Sequence, residues 1–472
     1  MLAASFSRAQ WEPDVRLTND PAQSGIGMNS EREIVASGDT LHVVWYDNRY
    51  ANYEIFYKRS TDGGTSWGAD TRLTYNAAAS YDPCLAAYGN IVLVVWADDR
   101  NTGNREIYYK RSEDGGSTWG ADTRLTNAPL SSESPCIAIS GSLVHVTWYD
   151  ERNDPSGNWY TDIYYKRSAD GGLTWGPDIR LTNKPNAYSG FPSVAVYGSI
   201  VHIVWEDYRD GYYNIYYKHS TDGGLTWGTD VQLTNDPADQ SNPCIAISDS
   251  IVHVVWNDIR NGSNNWEIYY KRSTNAGLTW EPDIRLTNAN NTSEYPNIAV
   301  SGSLVHVVWD DDRNIVYQIY YKKSMDGGIS WDPETRLTNV PFNSQYAFVA
   351  LCDSTVHVIW KDNRDGNPEI YYKRNPIGNI LVGTEEKIIS NSLFLNIYPN
   401  PASSTFRFHV NDNSKKAKIL SIQNIFGKEV FSQRITIDES LIDISGLENG
   451  LYFVAVSIVN MRLSSAKLVV DK

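Results

Sequence analysis

Seven times the chain sets a carboxylate and a guanidinium two residues apart, behind a tryptophan, in the pattern W-x-D-x-R. The pairs are Asp47/Arg49, Asp98/Arg100, Asp150/Arg152, Asp207/Arg209, Asp258/Arg260, Asp311/Arg313 and Asp362/Arg364. Such groups serve two kinds of chemistry. Pointed outward, they hold sugar hydroxyls or anions in a polar ligand site. Turned on each other, they make an ion pair that fixes a turn. Sevenfold repetition favours the turn, because a catalytic centre requires different residues in different repeats.

Histidines recur in phase with these pairs. His42, His145, His202, His253, His306 and His357 each stand three residues before the repeated Trp. Inside a strand between stacked layers, they read as hydrogen-bonded core groups rather than acid–base or metal centres. No His/Cys/Asp cluster has zinc spacing and no calcium-loop signature occurs, so no metal and no cofactor is expected. Four cysteines are too few for a disulfide framework. Cys84, Cys136 and Cys244 share one repeat position, twelve residues before the Trp, and Cys352 does not. Equivalent positions in a ring need not meet, so the cysteines read as small buried residues.

Function is expected where repeats differ. Most W-x-D-x-R motifs reach the next strand's Ile within six or seven residues of the Arg, but Arg152 takes eleven to Ile163 and Arg260 takes eight to Ile268. These two loops carry Trp159 and Trp266, the only tryptophans outside repeat positions. Exposed aromatics beside polar groups suit sugar rings, which stack an apolar C–H face while their hydroxyls find fixed partners. The expected recognition surface is therefore Trp159 and Trp266, with Asp150, Arg152, Asp258 and Arg260 at the loop bases. Tyr208 and Tyr212 are expected to line a floor between the loops.

The elements that position these residues follow from the repeat. After each W-x-D-x-R comes a strand-like run such as "EIYYK", and then S-x-D-x-G-x-x-W. That motif is intact at Ser60–Trp67, Ser112–Trp119, Ser168–Trp175, Ser220–Trp227 and Ser324–Trp331, and it has Asn275 for Asp at Ser273–Trp280. The seventh copy is missing after Lys373, but Trp11 to Thr18, "WEPDVRLT", match the end of a repeat. A ring of seven four-stranded blades, closed by the N-terminal strand, accounts for this permutation and leaves no open sheet edge. An all-β, seven-bladed β-propeller over residues 11–374 is the expected fold. Blade three, for example, should use Cys136–Ser140, Leu143–Trp148, Asp162–Ser168 and Asp178–Thr182.

Composition agrees. With 31 Tyr and 16 Trp against 4 Met, the aromatic load suits strands better than helices. The net charge of -15 and absence of a Lys/Arg run exclude a nucleic-acid face. No apolar run reaches the length of a membrane span. Residues 1–10 read as the end of a signal peptide or a short leader. Residues 375–392 read as a linker, and 393–472 as a small β domain, a sandwich by its alternating segments.

The S-x-D-x-G-x-x-W repeats resemble the Asp-box, or bacterial neuraminidase repeat, a family of sialidases, other glycosidases and several non-enzymes. The resemblance implies that Asp62, Asp114, Asp170, Asp222, Asn275 and Asp326 are structural turn residues, facing away from any ligand. A sialidase of that family carries an Arg-Ile-Pro motif, three carboxylate-gripping arginines, a Tyr–Glu pair and an acid–base Asp, usually on six blades. Here there is no Arg-Ile-Pro, and Tyr is too abundant for a Tyr–Glu pair to be picked out. The tail, with Tyr398-Pro399-Asn400-Pro401, Gly427, Leu447, Gly450, Tyr452 and Lys467, resembles the C-terminal sorting domain of type IX (Por) secretion. That implies export through the type IX machinery to the surface or medium of a Bacteroidota-like bacterium. A carbohydrate or other cell-surface ligand is the expected partner, with binding favoured over two alternatives, a sialidase-like glycosidase and a protein-binding scaffold. Deleting residues 393–472 should leave the propeller folded and stop surface delivery in the native host; unchanged export of the truncated protein in a fractionation assay would give the tail another purpose.

Overall fold

Runs such as Leu143–Asp150, "LVHVTWYD", bury almost every residue. A strand without polar alternation must be covered on both faces, and stacking blades around an axis does this. The computed structural model describes residues 11–27, 32–101, 104–154, 157–262, 265–379, 395–410, 418–424, 429–435, 439–458 and 461–472. The leader at 1–10 and most of the linker lie outside these residues. The chain divides into two compact units, Met1–Leu381 and Val382–Lys472.

The first unit is the seven-bladed propeller. Blade three runs Ser132–Ser140, Leu143–Asp150, Asp162–Ser168 and Ile179–Arg180 from axis to rim, all antiparallel. Its inner strand starts four residues before the expected Cys136, because the strand continues past a bulge between Glu133 and Cys136. The outer strand shrinks to two residues, since the Asp-box turn takes up the chain before it. The seventh blade holds Ser344–Cys352, Thr355–Asp362 and Glu369–Asn375 and is completed by Val15–Arg16, with Val15 opposite Tyr372. Main-chain bonds from Glu12 N to Arg374 O (2.9 Å) and Leu17 N to Ile370 O (2.8 Å) extend that closure.

Neighbouring blades are latched by the box itself. Trp227 of blade four meets Tyr165 of blade three edge-on, ring centroids 4.8 Å apart. Tyr165 Oη shares a 2.6 Å hydrogen bond with His145 Nδ1. The same Trp–Tyr contact recurs at all seven interfaces, ending with Trp11 on Tyr321. The six histidines all bond the tyrosine of their own blade, and burial lowers each of them, to about 3 or 4. They are core groups held neutral. The box aspartates cap their turns: Asp170 accepts from Thr174 N (2.9 Å), Thr174 Oγ1 (2.6 Å) and Ser168 Oγ (2.6 Å). Asn275 reproduces the geometry, accepting from Thr279 N and donating to Thr279 Oγ1, which explains why the amide is tolerated there.

The tail unit has two sheets around one core. Leu395–Tyr398, Thr405–Val410 and Glu439–Asp443 form one; Glu429–Ile435, Lys418–Asn424, Gly450–Ile458 and Met461–Val470 form the other. Phe406, Phe408, Leu420, Ile422, Val454 and Leu468 are buried between them, with Leu447 packed alongside. Gly427 lies outside the described residues.

The latch leaves no room at the second box glycine. Gly224 has φ +80°, and a Cβ there would sit 1.8 Å from Tyr165 Oη. Gly224→Ala is expected to cost about 1–3 kcal/mol from the backbone conformation alone, read as a lower urea midpoint. A wild-type midpoint would show that the contact yields freely.

Candidate functional site

The repeated Asp–Arg pairs are spent inside their own blades. Asp150 accepts from Trp148 Nε1 (2.8 Å), Ser132 Oγ (2.8 Å) and three Arg152 donors between 2.7 and 2.9 Å. Arg152 also binds Asp178 (2.8 Å) and lies 4.3 Å over the Tyr164 ring. Asp258 and Arg260 repeat this with Asp283 and Tyr269. This is turn-fixing geometry. Tyr208 and Tyr212 are nearly half exposed, and Tyr208 packs on Tyr213 at 4.9 Å. Trp159 is 72% exposed at φ +63° and makes no ring contact among the described residues.

Symmetry breaks closer to the axis, at three register positions per blade on the W-x-D-x-R face. In blades two to seven the bulged residue of the inner strand takes a left-handed backbone: Asp82, Ser134, Phe191, Asn242, Tyr295 and Tyr346, with φ between 47° and 58°. Bulges re-aim side chains in this way. The residue after each repeated Trp differs in almost every blade: Tyr46, Ala97, Tyr149, Glu206, Asn257, Asp310 and Lys361. The residue before the third strand differs as well: Tyr53, Arg105, Thr161, Tyr213, Trp266 and Pro368 each accept, at the main-chain carbonyl, an N–H from the next blade's inner strand. The half-buried Trp266 thus occupies this ring position, whereas Trp159 stands on an insertion outside it. The residue after the Trp of W-x-D-x-R was the available signal, hidden as a variable letter of the motif.

Across the channel mouth these positions form a cavity of about 430 Å³. It is lined by Gly27, Tyr46, Asp82, Phe191, Glu206, Tyr213, Ser241, Asn242 and Tyr295. Glu206 is 4% exposed; burial pushes its carboxyl up to about 7, against hydrogen bonds from Asn242 N (3.1 Å) and the Ser241 hydroxyl. Burial, with Glu133 adding, raises Asp82 to about 6. Glu294 rises to about 7 through burial and the nearby Asp312. Glu33 and Asp310, wholly buried, are held well above the usual carboxylate range. A Tyr–Glu pair is also present. Tyr149 Oη donates to Glu133 Oε2 (3.0 Å), which Arg105 Nη1 also reaches (2.9 Å), and burial raises the phenol.

Below the mouth, inner strands line a channel of about 280 Å³. Arg32 crosses it to the carbonyls of Ile137 (3.5 Å) and Ile245 (3.2 Å). The cysteines are buried and, among the described residues, form no disulfide; the Cys84 and Cys136 thiols hydrogen-bond to each other, because inner strands converge at the axis. Among the described residues, the one group of donor side chains close enough to share an ion is Asp39, Cys352 and Asp353, on the Asp-box face.

Fold and mouth together define an Asp-box β-propeller with its variable residues gathered at one end of the axis. The chain belongs to the BNR repeat-like domain family, which matches residues 47–307, and residues 396–471 match the secretion system C-terminal sorting domain. It is therefore a secreted BNR-repeat propeller handled by type IX secretion. No curated protein matches it. An ulvan lyase from a family of polysaccharide lyases shares the fold, with TM-score 0.52 and 11% identity over 74% of this chain and 94% of its own. The polysaccharide lyase Uly1 gives TM-score 0.50 and 8% identity over 78% and 99%. A Hadza microbial sialidase gives 0.45 and 14% over 72% and 74%. Among the described residues no helix is long and apolar enough to cross a membrane.

The raised carboxyls set a pH dependence. Glu206 titrates near 7 in the fold and, unfolded, near the ordinary value of 4.5. The fold thus binds the extra proton between these values, and its contribution, present below 4.5, is lost as pH rises through 7. Glu206→Gln should therefore raise the melting temperature relative to wild type by more at pH 8 than at pH 5. An equal difference at both pH values would mean that the carboxyl titrates normally.

Proposed function

We propose that the channel mouth is a glycan-processing site in which Glu206 donates a proton to a glycosidic oxygen and Asp82 serves as the opposing carboxylate. One observation carries this reading: in a frame that repeats its polar contacts seven times, the axis-facing positions diverge from blade to blade, and they hold carboxyls whose proton affinity lies near neutrality. Titratable pairs whose environments set different proton affinities are what acid–base work on a glycoside needs. Tyr46, Phe191, Tyr213 and Tyr295 supply stacking faces around the same cavity. Trp159, Trp266, Tyr208 and Tyr212 extend the surface outward for further sugar units, while Asp150, Arg152, Asp258 and Arg260 brace the loops beneath them.

The fold likeness to two polysaccharide lyases supports a sugar polymer as ligand. Sialosides fit poorly. A three-arginine grip has no counterpart at the mouth, since Arg105 is committed to Asp99 and Glu133, and Arg32 to main-chain carbonyls. The sorting domain supports an extracellular setting for this activity, at the surface or in the medium of a Bacteroidota-like cell. Incubating the protein with a polysaccharide panel and assaying new reducing ends tests the reading. Glu206→Gln should lower release at least a hundredfold, the usual scale for a general acid, and keep binding. Binding by wild type without any release would leave a lectin-like surface instead.

A further inference from the structure

Tyr46, Phe191, Tyr213 and Tyr295 surround the mouth cavity with electron-rich rings, and among the described residues Asp82 and Glu206 are the acidic side chains that line it. Among the described residues no lysine or arginine lines it. Two cations of the same face are engaged elsewhere: Arg105 by Asp99 and Glu133, each at 2.9 Å, and Lys361 over the Tyr346 ring at 4.3 Å. The cavity's volume of about 430 Å³ lies within the range of small-molecule sites. Aromatic faces attract a cation through the ring quadrupole, more strongly once water is excluded. A carboxylate on the same wall adds a charge-assisted hydrogen bond to an ammonium.

We infer that this cavity selects a cationic sugar, so that the glycan bears free amino groups, as in glucosamine oligomers. The inference rests on the glycan reading above and names the substrate class within it. A neutral sugar stacks on the same rings but offers neither carboxyl a charged hydrogen-bond donor. A uronate or sialate brings a negative charge against the Asp82 carboxylate and the electron-rich ring faces. Acetylating the amine removes its charge and all but one of its N–H donors, so an N-acetylated oligomer forfeits both interactions.

Calorimetric titration of the full chain with glucosamine tetramer, N-acetylglucosamine tetramer and tetramethylammonium separates the two readings. The amino tetramer should bind at least tenfold more tightly than its acetylated form, and tetramethylammonium should compete with it. Phe191→Leu and Asp82→Asn, each checked for a wild-type melting profile, should weaken the amino tetramer at least fivefold and narrow that ratio. Equal or tighter binding of the acetylated tetramer overturns the cationic selection and leaves the glycan reading in place. Binding of tetramethylammonium without either tetramer overturns the glycan reading and leaves a cation site. Binding of none of the three overturns both.

Discussion

A tyrosine hydroxyl pressed against a backbone that can carry no side chain holds this ring together. Gly64, Gly116, Gly224, Gly277 and Gly328 each leave under 2 Å between a Cβ and the neighbouring blade's tyrosine oxygen. The box tryptophan closes over the same ring, and in six blades a histidine grips its hydroxyl from behind. Because the tyrosine and histidine are buried, the tryptophan is partly buried and the contacts are directional, the blade-to-blade spacing is tightly fixed. A lysine from each third strand adds to it by donating to a carbonyl of the preceding blade, as Lys218 does to Leu181 (2.7 Å). Blade geometry is thus over-determined, and positions outside the latch are released from structural duty.

That release explains how a repetitive frame supports a site without symmetry. The Asp of W-x-D-x-R is consumed by its Trp, its Arg and, in most blades, a serine of the inner strand. The residue between Trp and Asp varies in type, and where it is Glu206, Asn257 or Asp310 it accepts the N–H of the next blade's bulged residue, whose side chain turns toward the axis beside it. Stability accounts for the repeated letters. The proposed chemistry draws on the ones that vary.

Much of this was legible in the sequence. The count of seven, the four-strand blades and closure by residues 11–18 all follow from in-phase motifs, because each motif is a complete local structure with its own hydrogen bonds. The mouth was not legible in the same way. Asp82, Phe191, Asn242 and Tyr295 share no sequence pattern, and only the bulge in three dimensions gives them a common direction. Glu206 and Asp82 belong to blades four and two and line one cavity only because the blades converge at the axis. Convergence also joins Cys84 to Cys136. Trp266 was visible as an unusual residue, but its ring position becomes clear only from the hydrogen bond that its carbonyl accepts from Ser293.

Ring closure also dictates an order of events. Val15 and Arg16 are among the first residues of the propeller to emerge from a ribosome, yet their partners Tyr372 and Tyr371 come more than 350 residues later. Such distant pairing is slow to form, since the intervening loop must be closed before any contact repays it. Until then Glu369–Asn375 presents a bare strand edge, open to pairing with another chain. The sorting domain follows that strand in the chain. A chain cut short anywhere before it therefore lacks the export signal, and one cut before residue 375 also lacks a finished ring. Completion of the propeller therefore precedes possession of its address.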